Sequence, residues 1–221
     1  MHTSKKRPLF LLAAIVLLTV SASCKTCSMQ PQTRLVELVD VVPDLVLDIR
    51  YATTNNFTGQ VVYPSARCFL VEEAACALRG VQEELAQQGY GLKVFDGYRP
   101  LAVQWIFWDI LPDPAFVADP RVGSKHNRGY AVDLTLIDLD GNDVAMPTEF
   151  DDFTERAGQD YMDLPADALA HRAILRAAME HAGFAIFPTE WWHYDYQGWE
   201  DQPILDIPFD EIPEIEAVCA D

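Results

Sequence analysis

Basic residues are scarce in this chain: 16 Lys and Arg stand against 34 Asp and Glu, a formal net charge of −18. Phosphate backbones need Lys and Arg partners, so nucleic acid is excluded as a partner. There is no Gly-x-Ser-x-Gly elbow, no Ser-x-x-Lys and no Gly-x-x-x-x-Gly-Lys loop, which removes the commonest serine-hydrolase and phosphate-binding signatures. No internal repeat or low-complexity tract occurs. The five cysteines (Cys24, Cys27, Cys68, Cys76, Cys219) are too irregularly spaced for a disulfide scaffold. A Cys68 to Cys76 bridge and free buried thiols are both compatible with that spacing.

Long apolar runs are also missing, apart from Leu9 to Val20, which is shorter than the ~20 residues of a membrane span. Lys5, Lys6 and Arg7 precede that run and Ser21-Ala22-Ser23-Cys24 follows it, the layout of a secretory signal peptide. Residues 1–23 are therefore expected to be a signal, 24–34 a polar tether and 35–221 one domain. Cleavage before Cys24 leaves an N-terminal cysteine that full lipoprotein processing would attach to a membrane. Ordinary cleavage instead leaves a soluble periplasmic protein, and the sequence keeps both readings open. The remaining chain is long enough for one sizeable core and is more acidic still, since the leader carries basic residues and no acidic ones.

Strand-like runs are expected at Leu35 to Val39 and Leu45 to Tyr51, followed by a turn-rich loop at Asn55 to Gly59. Ala74, Leu78, Val81 and Leu85 fall at i, i+4, i+7 and i+11, which predicts a helix over Val71 to Gln88 stopped by Gly89. Leu92 to Phe95 reads as a strand, and Pro100 opens a helix through Leu111. Ala131 to Ile137 alternates and ends in a hairpin turn signal. A further helix covers Ala166 to Ala182, and Trp191 to Tyr196 is a last strand before a proline-rich tail. Helices and hairpins without strand-helix alternation predict an α+β domain with a small central antiparallel sheet flanked by helices.

Two segments carry the candidate chemistry. In Ser124-Lys125-His126-Asn127-Arg128-Gly129-Tyr130-Ala131-Val132-Asp133 an imidazole on a loop precedes a strand carboxylate, and alternation points Asp133 away from Val132 and Leu134. Glu190-Trp191-Trp192-His193 supplies a second imidazole and an acid three residues before it. Two imidazoles and a carboxylate make a three-ligand site with a fourth position for water, the arrangement of catalytic zinc. In a continuous strand Glu190 and His193 face opposite ways, so Glu190 is expected in the turn after Pro188. Each residue also has a plainer reading, as a packed histidine or a turn-bonding aspartate.

Ser124-x-His126-x-x-Gly129-x-Ala131-x-Asp133 and Glu190-x-Trp192-His193 resemble the two signatures of the D-alanyl-D-alanine dipeptidases, the VanX-like zinc peptidases of family M15. The likeness continues through Tyr51-Ala52-Thr53, Asn56-Phe57-Thr58-Gly59, Asp96-Gly97-Tyr98-Arg99-Pro100 and Met146 to Asp151, from about Val36 to Ile207. The resemblance implies the D,D-peptidase-like (hedgehog-like) fold, one zinc ion held by His126, Asp133 and His193, and Glu190 as the general base. It implies Arg99 as stabiliser of the developing oxyanion, Asp151 as partner of the substrate ammonium, Ser124 as contact for its carboxylate, and Tyr51 and Tyr63 as pocket lining. Pro147 stands where the family usually has Gly, and Asp152 follows directly, so the choice between Asp151 and Asp152 stays open. The implied substrate is a short D-amino-acid dipeptide. A wall-trimming D,D-carboxypeptidase or endopeptidase and a non-catalytic zinc-containing wall-binding module are the alternatives, and oligomeric state is not readable.

Overall fold

The computed structural model describes Met1 and residues 33–219; the rest of the expected signal segment, Cys24, Cys27 and most of the expected tether lie outside them. The elements are β1 (Leu35–Glu37), α1 (Leu38–Val41), β2 (Val46–Leu47), β3 (Phe69–Val71), α2 (Glu72–Ala86), β4 (Tyr90–Asp96), α3 (Leu101–Ile110), β5 (Ala131–Asp138), α4 (Ala166–His181), β6 (Phe184–Phe187) and β7 (Glu190–Tyr196). Five strands form one sheet in the order β2-β4-β5-β7-β6, and β1 pairs with β3 in a separate two-stranded sheet. Every pair in the large sheet is antiparallel except the edge pair β2 and β4. The α+β architecture is therefore as expected, with one parallel edge added.

Periodicity located the long elements because each buries a complete face. Ala74, Leu78, Val81 and Leu85 of α2 are fully buried, Glu72 and Glu73 occupy the first turn where the helix dipole favours acids, and Gly89 follows with a left-handed φ of 88°. Pro100 and Pro165 sit at the N-caps of α3 and α4. Val132, Leu134 and Leu136 form the fully buried side of β5, and α2 and α4 pack onto β4, β5 and β6. The other side of β5 is left to carry polar groups.

The short elements differ from expectation. Val39 lies in α1 rather than in the first strand, and only Val46–Leu47 of the second run is strand, with Arg50–Ala52 forming a 3-10 turn. β3 and β6 were not anticipated, since three or four residues show too little alternation and owe their pairing to partners elsewhere.

The cysteine pairing is a correction. Cys76 on α2 bonds Cys219, 143 residues away, across a Cα–Cα distance of 5.4 Å, while Cys68 is a buried free thiol. Cys68 packs under Gly97, where an added Cβ would lie 2.6 Å from its Sγ, and burial pushes its pKa well up. The tail is irregular as its prolines require, yet it is anchored: Phe209 is buried against Tyr63 and Phe69, and Leu205 N–H donates to Asn127 O at 2.8 Å. A cross-link closing so long a loop restricts the unfolded chain strongly. Cys219→Ser is expected to lower the unfolding free energy by about 2–4 kcal/mol, read by denaturant titration without reductant; an unchanged midpoint would refute a stabilising bond.

Candidate metal centre

Three elements bring the candidate ligands together. His126 opens a 3-10 turn, His126–Arg128, which Gly129 closes with a left-handed φ of 74°. A Cβ on Gly129 would meet Leu35 Cδ2 at 2.7 Å, so both the backbone and the space require glycine there. Asp133 lies on the polar side of β5, directly paired with His193 of β7. His126 Nε2 and His193 Nδ1 are 3.2 Å apart, and Asp133 Oδ1 lies 3.4 Å and 3.0 Å from them respectively. The three residues are only 3%, 8% and 3% exposed in the order His126, His193, Asp133.

The far nitrogens of both rings are already committed. His126 Nδ1–H donates to Gly97 O at 2.7 Å, and His193 Nε2–H donates to Asp195 Oδ1 at 2.8 Å. Lone pairs on His126 Nε2, His193 Nδ1 and Asp133 Oδ1 therefore face one another, and Asp133 Oδ1 is buried with no hydrogen-bond partner. One proton on an imidazole cannot satisfy all three atoms; a central cation does. Zinc bonds of about 2.0–2.2 Å at tetrahedral angles separate ligand atoms by about 3.3–3.5 Å, which the observed spacings approach. The donor set fits a divalent ion of that kind, and the outer hydrogen bonds orient both rings as metal ligation requires.

Electrostatics agree. Burial alone disfavours positive charge at His193, but the Asp133 and Asp195 carboxylates outweigh it and draw positive charge, a proton or a metal ion, to that ring. Burial also opposes the Asp133 charge, yet the two imidazoles hold this carboxyl well below the ordinary range. The cluster thus favours positive charge at its centre.

Glu190 differs from expectation in an instructive way. It is the first residue of β7, not part of the turn. The register slips between Ile186, paired with Tyr194, and Phe187, paired with Glu190. This bulge breaks the alternation, and Glu190 Oε2 comes within 3.8 Å of His193 Nδ1. Burial pushes the Glu190 carboxyl up to about 7, with Asp133 and Asp151 adding to it and His193 and Arg99 opposing.

Tyr51, Arg99, Ser124, His126, Asp133, Asp151, Glu190 and His193 all line one cavity of about 190 Å³. Arg99 donates from Nε and Nη2 to Asp96 Oδ2 (3.1 and 2.7 Å) and from Nη1 to Gln104 Oε1 (2.9 Å). A guanidinium has five N–H groups, so two remain for a ligand. Burial would lower its pKa, but Asp96 outweighs that and the group stays charged. Tyr63 lies behind this wall rather than in it, its hydroxyl donating to Asp96 Oδ1 at 2.7 Å. Asp151, at a left-handed φ of 62°, accepts from Tyr51 Oη and Phe57 N–H, both at 3.1 Å, and burial pushes its pKa to about 7. Asp152 instead caps a turn through Thr154 N–H, so Asp151 is the one that reaches the cavity. Ser124 is fixed by reciprocal bonds with Asn127.

Asp96, Gln104, Asn127 and Asp195 were not singled out from the sequence, although each orients a residue that was. The signal for Asp195 was available: two residues after His193 on a strand, it shares that residue's face.

Comparison with known proteins gives the family. The sequence model of the D-ala-D-ala dipeptidase family matches residues 31–213. A D-alanyl-D-alanine dipeptidase of Escherichia coli (strain K12) is 38% identical over 177 residues, covering 80% of this chain and 92% of that protein. One of Enterococcus faecium is 34% identical over 194 residues, covering 78% and 95%. A solved LdcB LD-carboxypeptidase, 19% identical, superposes with a TM-score of 0.46 over 83% of this chain and 80% of its own. With the family model spanning nearly the whole described domain, the chain belongs to the D-alanyl-D-alanine dipeptidase family of metallopeptidases.

Proposed function

We propose that this protein hydrolyses the amide bond of D-alanyl-D-alanine and similar short D-amino-acid dipeptides, with one zinc ion held by His126, Asp133 and His193. The observation that carries this is the placement of Glu190 beside the three-donor cluster, in a cavity that also presents Arg99 and Asp151. Held by these three residues, zinc would supply Lewis acidity to a carbonyl and to water, whose pKa such an ion lowers to about 7. Glu190 accepts a proton from the attacking water as its oxygen bonds the carbonyl carbon. Glu190 then delivers that proton to the amide nitrogen as the C–N bond breaks, releasing two amino acids. The two uncommitted N–H groups of Arg99 suit the oxyanion, and its clamp of Asp96 and Gln104 holds them in place beforehand. Asp151, already oriented by Tyr51 and Phe57, pairs with the substrate ammonium.

Size supports a dipeptide. The cavity is smaller than the roughly 300–1,000 Å³ of sites for larger ligands, and Phe57, Phe107, Phe116 and Phe153 stand around it.

We further propose that the protein works outside the cytoplasm, processed after residue 23 and either released to the periplasm or held by lipid on Cys24. The Cys76–Cys219 bond supports export, because disulfides persist in oxidising compartments.

Glu190→Gln is expected to retain one zinc per chain and lose about 10²–10⁴-fold in kcat on D-Ala-D-Ala; unchanged turnover would remove Glu190 from the mechanism. The wild type should cleave the dipeptide and leave a wall pentapeptide intact, and equal cleavage of both would assign it to polymer trimming instead. Intact mass of the exported protein should correspond to a chain beginning at Cys24, with or without lipid; a mass retaining Met1 to Ser23 contradicts the processing.

A further inference from the structure

The stretch that follows Glu190 is the least paired part of the large sheet. On one side, pairing with β5 stops at Asp133 and His193; on the other, β6 pairs with Tyr194 and with Glu190 but with nothing between them. Among the described residues, Trp191 and Trp192 therefore have no strand partner on either side, although both are buried. Carbonyls in such a stretch need donors from elsewhere.

One side chain supplies them. Gln159 is 3% exposed and lies outside every helix and strand. Its Nε2 donates to Glu190 O and to Trp191 O, each at 3.4 Å, and an amide nitrogen has two hydrogens, one for each carbonyl. The reverse orientation would set the amide oxygen against two carbonyl oxygens, so chemistry fixes which way the group points. Its Oε1 adjoins the hydroxyl of Tyr194, and neither of those buried atoms has another partner. Gln159 is itself anchored: its backbone N–H donates to Pro188 O at 3.0 Å, and the preceding carbonyl, Gly158 O, accepts from Arg172 Nη1 of α4 at 2.9 Å. Trp191 Nε1 donates to Thr148 Oγ1 at 2.9 Å, which pins the indole and leaves the backbone at Glu190 to Gln159.

We propose that Gln159 is a positioning residue, which holds the bulged start of β7 in the register that keeps the Glu190 carboxyl beside His193. This rests on the reading of Glu190 as the general base given above. Gln159 does not line the catalytic cavity, so its contribution passes through Glu190. It ties the turn at Pro188 and the bulge to one point braced by α4, where strand pairing holds neither.

Gln159→Met keeps length and burial and removes both donors. The experiment determines the crystal structure of this variant in its metal-free form and records its zinc content and unfolding midpoint. It then compares D-Ala-D-Ala kinetics for the wild type, Gln159→Met, Glu190→Gln and the double variant, well below every midpoint. Gln159→Met should bind one zinc per chain, keep KM within about twofold and lose about 10–10²-fold in kcat, the scale of a displaced reacting group. Its crystal structure should show the Glu190 carboxyl withdrawn from His193. In the double variant the two losses should not multiply, as for residues that act as a unit. Gln159→Asn, whose shorter amide stands off from both carbonyls, is read in the same way and serves if the Met variant does not fold. An unmoved Glu190 carboxyl overturns the proposal, and so does a loss that multiplies fully on Glu190→Gln, which would make Gln159 a support of the fold alone. A zinc-loaded wild type that leaves D-Ala-D-Ala intact refutes the dipeptidase reading, while the crystal structure still decides whether Gln159 holds the bulge.

Discussion

Three lone pairs facing one another in a buried space are unstable without positive charge between them. His126 Nε2, His193 Nδ1 and Asp133 Oδ1 are held in that arrangement by atoms that cannot be reassigned: the Gly97 carbonyl on one ring and the Asp195 carboxylate on the other. A cation turns this mutual repulsion into attraction. The demand for one is thus written into hydrogen bonds outside the ligand set.

Those outer bonds tie the centre to most of the domain. Gly97 follows Asp96, which also gathers Tyr63 and Arg99, and the turn containing His126 is bonded to Arg99 through backbone and Asn127. A bulge in β7 turns Glu190 to the same side as His193, at the cost of regular pairing with β6. Backbone irregularities therefore gather around the candidate site: the bulge under Glu190, the left-handed Asp151 and the left-handed Gly129.

Long elements were legible in the sequence because α2, α4 and β5 each show a full period of buried positions, and Pro100, Pro165 and Gly89 mark ends in ways fixed by backbone sterics. β3 and β6 were not, since their strand character comes from partners distant in the chain. Among the site residues, His126, Asp133 and His193 stood out by chemistry and resemblance, while their supports Asp96, Gln104 and Asp195 looked like ordinary polar residues. The position of Glu190 could be stated only as a geometric demand, because a bulge leaves no mark in residue alternation. The Cys76–Cys219 pairing was equally hidden, as spacing carries no information about a partner 143 residues away.

His126 and His193 are 67 residues apart, and the second lies close to the tail whose Leu205 braces Asn127. The centre consequently cannot exist on a partly synthesised chain. Any emerging polypeptide that ends before Glu190 lacks that carboxyl, one imidazole and the bracing tail together. The cluster is therefore assembled in a single late step, after nearly all of the chain has been made available for folding.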